Sequence, residues 1–444
     1  MKNLFTLILI LISFQSYAIE VEFEPDARVP LVDISLVVRT GAVSDPKNQE
    51  GLTRFVGQML LRGTKVRSKK QLDLKLDELG ASIGVETRDE ALILRASVLS
   101  SQIDPFLDLF LEIITQPSFS IKEIRKLKKK TQSLILSGLS DDGNLVKKNF
   151  AKFLFKNHPY GNSVLGTLKS ISKLTQTQIV SQYNRIFSES LMVVVGTGDT
   201  TKEMIKAFAN KIAKARPEPS RLIGLKAPHP IEKRKILLVN KPDRSQFQIF
   251  GGHIGMHPTN PDYIPAYIAN YAFGGSFTSR FMKEIRVKRG WSYWAYSYFR
   301  HGSFPKTWSF TLAPANQYAT KALKEAIYQI ENLRENGITK EEFIQAKTGL
   351  INNSGFRYDT PSKRIENRIT EIIYKMPKGS IQNYGEKFKE VTFSEANEAL
   401  KKFLHPDHLH ITIVTTVTDD LKKQISKVAH IPVEEIEVID YQKE

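Results

Sequence analysis

One order of elements runs through the chain twice, and that repeat limits the fold more than any single motif. Residues 19–23 and 29–39 read as strands, with Asp26, Ala27 and Arg28 as a hairpin turn between them. Helical periods follow at 51–64 and 69–79, strands at 82–86 and 91–99, helices at 102–116, 120–139, 143–157 and 175–185, and a buried strand at 191–196. Pro217, Pro219, Pro228 and Pro230 then punctuate a linker. Beyond it the order restarts: strands at 235–239 and 246–252, helices at 262–273 and 279–288, and strands at 293–298 and 308–312. Helices at 318–335, 340–352, 362–375 and 393–403 and a last strand at 409–415 complete the second unit. The expectation is an α+β chain of two similar domains, each a mostly antiparallel sheet with helices packed on it. The divisions are 1–18 as a leader, 19–212 as the first domain, 213–233 as the linker and 234–444 as the second domain.

The leader has Lys2, an apolar run over residues 4–12, and Ser16, Tyr17 and Ala18 before Ile19. That is the pattern of a secretory signal peptide cleaved near Ala18, since the apolar run is short for a membrane span. An exported, periplasmic protein without stable membrane insertion is expected. The chain has no cysteine, so it does not rely on disulfides. Removing the leader takes the formal charge from +17 to +16, because Lys2 is its one charged residue. The lysines at 65–70 and 126–130 sit at helical positions and read as solvated faces. No basic motif with interleaved aromatics points to nucleic acid.

Within residues 51–64 (GLTRFVGQMLLRGT), Leu52, Phe55, Val56, Met59 and Leu60 form one apolar face, with Arg54, Gly57 and Gln58 opposite. The phrase, with Leu79, Gly80 and Ala81 after it, resembles the signature helix of the pitrilysin/insulinase metallopeptidases, which include the mitochondrial processing peptidase. In active members that helix carries the zinc motif H-x-x-E-H. Here Arg54 stands for the first His, Gly57 for the Glu and Gln58 for the second His. A guanidinium offers no lone pair to zinc, and glycine has no side chain to act as a base. At the family's spacing the third ligand, a Glu, would fall at residues 134–136, yet no Glu occurs between Glu123 and Glu189. No zinc is therefore expected in this chain. Arg54 could stand in for the lost positive charge and hold the helix against Glu86 or Glu90. His158, Pro159, Tyr160 and Gly161 match a family loop, and His158 reads as structural. Asp141 and Asp142 read as caps of the helix that follows them.

The second half keeps what the first has lost. Gly274, Gly275, Ser279, Arg280, Arg286, Gly290 and Tyr293 follow the family's L-G-G, S-R-L and L-R-x-x-x-G-L-x-Y phrases. The resemblance implies that Arg286 and Tyr293, seven apart, reach across an interdomain cavity to hold the substrate backbone and reaction intermediate. Both can donate to a carbonyl oxygen gaining negative charge. A surface pair of Arg280 with Glu284 is the ordinary alternative for this helix.

Small members of the family often work as pairs in which one subunit carries zinc and the other supplies the Arg and Tyr. The reading is thus a non-catalytic subunit that binds peptide and completes the site of a zinc-bearing homologous partner. Two alternatives stay open. One is a self-sufficient zinc peptidase using His405, His408 and His410, of which the last two would point the same way in a strand. The other is a peptide-binding scaffold without a catalytic partner. His253 and His257 read as marking a strand's end.

Overall fold

The computed structural model describes residues 19–216 and 224–443. The predicted leader and residues 217–223 of the predicted linker lie outside them. The first half contains strands β1 (Glu20–Pro25), β2 (Leu31–Val38), β3 (Ser82–Thr87), β4 (Leu92–Leu99) and β5 (Met192–Gly198). Its helices are α1 (Leu52–Leu60), α2 (Lys69–Glu78), α3 (Ile103–Thr115), α4 (Ile121–Gly138), α5 (Asp142–Leu154), α6 (Leu168–Lys173), α7 (Gln176–Ile186) and α8 (Lys202–Ala215). The second half contains β6 (Lys235–Asn240), β7 (Gln248–Ile254), β8 (Ser292–Arg300), β9 (Thr307–Pro314), β10 (His410–Thr415) and β11 (Glu437–Asp440). Its helices are α9 (Tyr263–Phe273), α10 (Arg280–Met282, continued by a π-helical turn, Lys283–Val287), α11 (Ala319–Asn336), α12 (Lys340–Ser354), α13 (Pro361–Ile373), α14 (Tyr384–Glu390), α15 (Phe393–Phe403) and α16 (Asp419–Ala429).

The strand orders are β1-β5-β2-β4-β3 and β11-β6-β10-β7-β9-β8. Apart from β11, the second sheet repeats the first strand for strand. Pairing is parallel at β1–β5, β6–β10 and β6–β11 and antiparallel elsewhere, so both sheets are mixed with antiparallel pairs in the majority. Two expectations fail here. Strands β1 and β2 do not form a hairpin, because β5 lies between them, parallel to β1 and antiparallel to β2. Nor does the strand at 410–415 end the second unit, since α16 and β11 follow it.

The strand β5 is buried at every residue, and the reason is an exchange of helices. Met192 and Val194 face the first-half core beside Ile205 and Phe208 of α8. Val193 and Val195 turn the other way, where they meet Ile369 and Ile373 of α13, a helix from the second half. Reciprocally, Val146 and Phe150 of α5 cover Leu237, Phe250 and Val414 of the second sheet. Each sheet is therefore covered on both faces, which is why its central strands read as unbroken apolar runs.

Polar contacts fasten the same junction. Glu90, 7% exposed, accepts from the Tyr160 hydroxyl (2.6 Å) and from the Ser303 N–H (2.9 and 3.1 Å to its two oxygens). Lys306 pairs with Asp89, and Arg88 with Glu366. Along β1, Glu24 pairs with Arg364, and Glu22 with Arg368 and Lys378. Asp141 caps α5 by accepting from the Asn144 N–H. Asp142 has a different role from the predicted cap: it joins the halves by pairing with Lys241 and Arg244.

Candidate functional site

The first-half site is built on α1. Gly51 precedes it with φ of 87°, a left-handed conformation that suits glycine. The Asp45 carboxylate accepts from the N–H groups of Gly51 and Thr53 (2.7 Å each) and from the Thr53 hydroxyl (2.6 Å). Burial pushes the Asp45 pKa up to about 6, against these hydrogen bonds, which act to lower it. Leu52, Phe55, Val56, Met59 and Leu60 are all buried, as their spacing requires.

The three motif positions then have distinct surroundings. Arg54 is half-buried and makes no hydrogen bond or ion pair among the described residues; burial lowers its pKa. The expected hold on Glu86 or Glu90 is not formed. Glu86 pairs with Arg88 and Arg95, and Glu90 is taken by Tyr160 and Ser303. At Gly57 a Cβ would lie 2.5 Å from Leu92 Cδ1 and 2.8 Å from Val85 Cγ1. The space that a general base would need is thus filled by β3 and β4. Gln58 Nε2 donates to the carbonyl of Val85 on β3, the edge strand, at 3.3 Å. Residues 134–136 lie on α4, where Leu134 and Leu136 are exposed and Ile135 is buried.

The second-half site surrounds α10. Gly274 and Gly275 allow close packing, since a Cβ on Gly274 would sit 2.3 Å from Ser297 Oγ and one on Gly275 2.7 Å from Tyr271 Cα. Arg280 is a structural residue, bound to Glu342 and to the Gly337 carbonyl. The alternative pair with Glu284 does not form, because Lys288 and Arg289 occupy Glu284. Arg286 lies in the π-helical turn, a distortion frequent at functional sites. Its guanidinium stacks 4.7 Å from the Phe277 ring centroid and has no carboxylate partner among the described residues. Gly290, with φ of 65°, turns the chain into β8. The register of β8 slips between Ser292 and Ala295, so Tyr293 and Trp294 bulge from the ladder, and Tyr293 is 82% exposed. Phe277 and Trp294, both exposed beside this pair, were not singled out in the sequence, although an aromatic within GGSFTSR was a usable signal. No hydrogen bond, ion pair or ring contact joins Arg54 or Gln58 to Arg286 or Tyr293 among the described residues.

The histidine-rich segment does not assemble as expected. His408 ends a 3-10 turn ahead of β10 instead of sharing a strand face with His410. His405 stacks on His408 (5.1 Å) and meets His253 (5.8 Å), whereas His410 packs on Phe153 of α5 (4.7 Å). No group of three or more metal-ligating side chains is placed to hold an ion among the described residues. His257 is engaged by Thr259 and the Tyr374 carbonyl. His158 accepts from the Tyr160 N–H and contacts the Lys226 carbonyl, a structural role.

Comparison with known proteins gives the same frame. Residues 20–168 match the family model described as Insulinase (Peptidase family M16), and residues 173–350 match that described as Peptidase M16 inactive domain. A relative from Helicobacter pylori, named Non-peptidase homolog YmxG, is 25% identical over 90% of this chain and 93% of its own. The M16 inactive domain protein from Pseudomonas fluorescens superposes with a TM-score of 0.84 at 22% identity, covering 91% of this chain and 97% of that one. The periplasmic protease PqqL from Escherichia coli superposes with a TM-score of 0.75 at 12% identity over 93% of this chain and 49% of its own. With two models of one family meeting end to end across most of the sequence, and the duplicated two-sheet fold recurring in solved relatives, the chain belongs to the insulinase family, peptidase M16, as a member without its zinc motif.

Proposed function

We propose that this chain is the zinc-less, exported subunit of a two-subunit peptidase, binding peptide and supplying Arg286 and Tyr293 to a zinc-bearing homologous partner. The observation that carries the reading is the contrast between the halves. The base position at Gly57 is filled by Leu92 and Val85, while Arg286 and Tyr293 are presented without internal polar partners. The Arg286 guanidinium, stacked on Phe277 and without a carboxylate partner among the described residues, keeps its N–H donors for an external acceptor. A peptide carbonyl gaining negative charge is such an acceptor. Phe277 and Trp294 offer flanking apolar surface for side chains of the same peptide. Arg54 adds a fixed positive charge near the lost metal position.

PqqL supports pairing through its length, since this chain covers 95% of that protein's first half and 49% of the whole. Its description as periplasmic agrees with the leader reading of residues 1–18. The test is a pair reconstituted with a zinc-bearing homologue from the same source. Arg286→Ala and Tyr293→Phe should each lower kcat for peptide cleavage by about 100- to 1000-fold, the range for losing an intermediate-stabilising donor. Unchanged kcat in both would overturn the assignment.

A further inference from the structure

We infer that the junction of the two halves holds a binding site for a single-chain amphiphile with an anionic head, such as a medium-chain carboxylate. A cavity of about 700 Å³ opens there, within the size range of small-molecule sites. Its walls come from three parts of the chain: the C-terminal end of α5, linker residues 228–233, and β6, β10 and β11 of the second sheet. No residue of α1 or α10 lines it, while His158 and His410 do.

The lining has the two characters such a ligand needs. Phe153, Leu154, Pro228, Ile231, Leu237 and Ile439 supply apolar surface, which an alkyl chain covers favourably. Around them stand Lys152, Lys156, Lys235 and Lys443, none of which has a carboxylate partner among the described residues. Lys233, also on the wall, is neutralised by Glu435. The remaining carboxylates of the lining are Glu232 and Glu437, so positive charge prevails. Unpaired ammonium groups beside an apolar pocket favour an anionic head over a neutral one. His410 also lines the cavity, with its ring against Phe153. Because α5 belongs to the first half and the strands to the second, the occupant bridges both.

The experiment is isothermal titration of the full chain with decanoate, decanol and acetate below any micelle concentration. Decanoate should bind one per chain, at least tenfold tighter than decanol, with acetate undetected. Lys152→Glu combined with Lys235→Glu should weaken decanoate at least tenfold while the far-UV circular dichroism stays unchanged. A second variant, Leu237→Phe, should weaken decanoate by filling the apolar space. Equal affinity for decanol, indifference to the charge reversals, or no decanoate binding would overturn the proposal.

Discussion

Replacing Gly57 by alanine separates two opposed effects in the lost motif. In an exposed helix interior the change would stabilise by roughly 1 kcal/mol through backbone propensity. Here the new methyl would lie 2.5 Å from Leu92 Cδ1 and 2.8 Å from Val85 Cγ1, about 1 Å inside normal carbon–carbon contact. Leu92 is fully buried, and Val85 is β-branched and stiff, so neither yields freely. Overpacking of this kind costs about 1–3 kcal/mol, which, set against the propensity gain, leaves Gly57→Ala destabilised by up to about 2 kcal/mol. Leu92→Ala alone should cost about 2–5 kcal/mol. Combined, the two should cost less than their sum by about 1–3 kcal/mol, since the methyl enters the space the leucine vacates. Urea unfolding followed by far-UV circular dichroism, with matched m-values, measures all three. A stabilised Gly57→Ala, or strictly additive energies, would refute the reasoning. Restoring His, Glu and His at positions 54, 57 and 58 would then not by itself build a zinc site, since Leu92 and Val85 fill the space at 57 and residues 134–136 carry no third ligand.

The remaining predictions concern the junction and the buried histidines. Glu90→Ala leaves the Tyr160 hydroxyl and the Ser303 N–H without their acceptor and should cost roughly 2–5 kcal/mol in urea unfolding; Glu90→Gln should cost less. Arg368→Ala removes contacts with Glu20 and Glu22 and should cost about 1 kcal/mol, less in high salt; faster amide exchange in α13 would report it. Burial lowers the pKa of His253, His301 and His410 to about 4 each. The unfolded chain binds their protons first, so acidification from pH 6.5 to 4 should remove stability, about 3 kcal/mol per histidine at most. Asp45, raised to about 6, acts in the opposite sense between pH 6 and 3.8. A stability curve that rises on acidification over pH 6.5 to 4 would contradict the histidine assignment.

The repeat was legible because each element carries its period locally. Helix α1 reads directly from Leu52, Phe55, Val56, Met59 and Leu60, and its glycine neighbours from the turns they permit. What failed depended on partners distant in the chain. Nothing near residues 19–39 signals that Met192 to Gly198 will slide between β1 and β2, so two adjacent strands looked like a hairpin. The charged helix α8 and the short, exposed β11 were missed because their anchoring contacts lie on other elements. The positions of Arg54, Gly57, Gln58, Arg286 and Tyr293 were found by phrase, but their surroundings were not. That Glu86 is consumed by Arg88 and Arg95, or that Leu92 fills the space over Gly57, follows from packing across the sheet. The exchange of α5 and α13 was equally hidden, although the unbroken apolar character of β5 was its trace.

The most direct test of the account is to purify the tagged chain from its own source and assay the eluate, with its zinc content, for peptide cleavage. The expected result is a co-purifying homologue with an intact H-x-x-E-H motif, with cleavage by the pair and none by this chain alone. A solitary chain, whether inert or zinc-loaded and active, would contradict it.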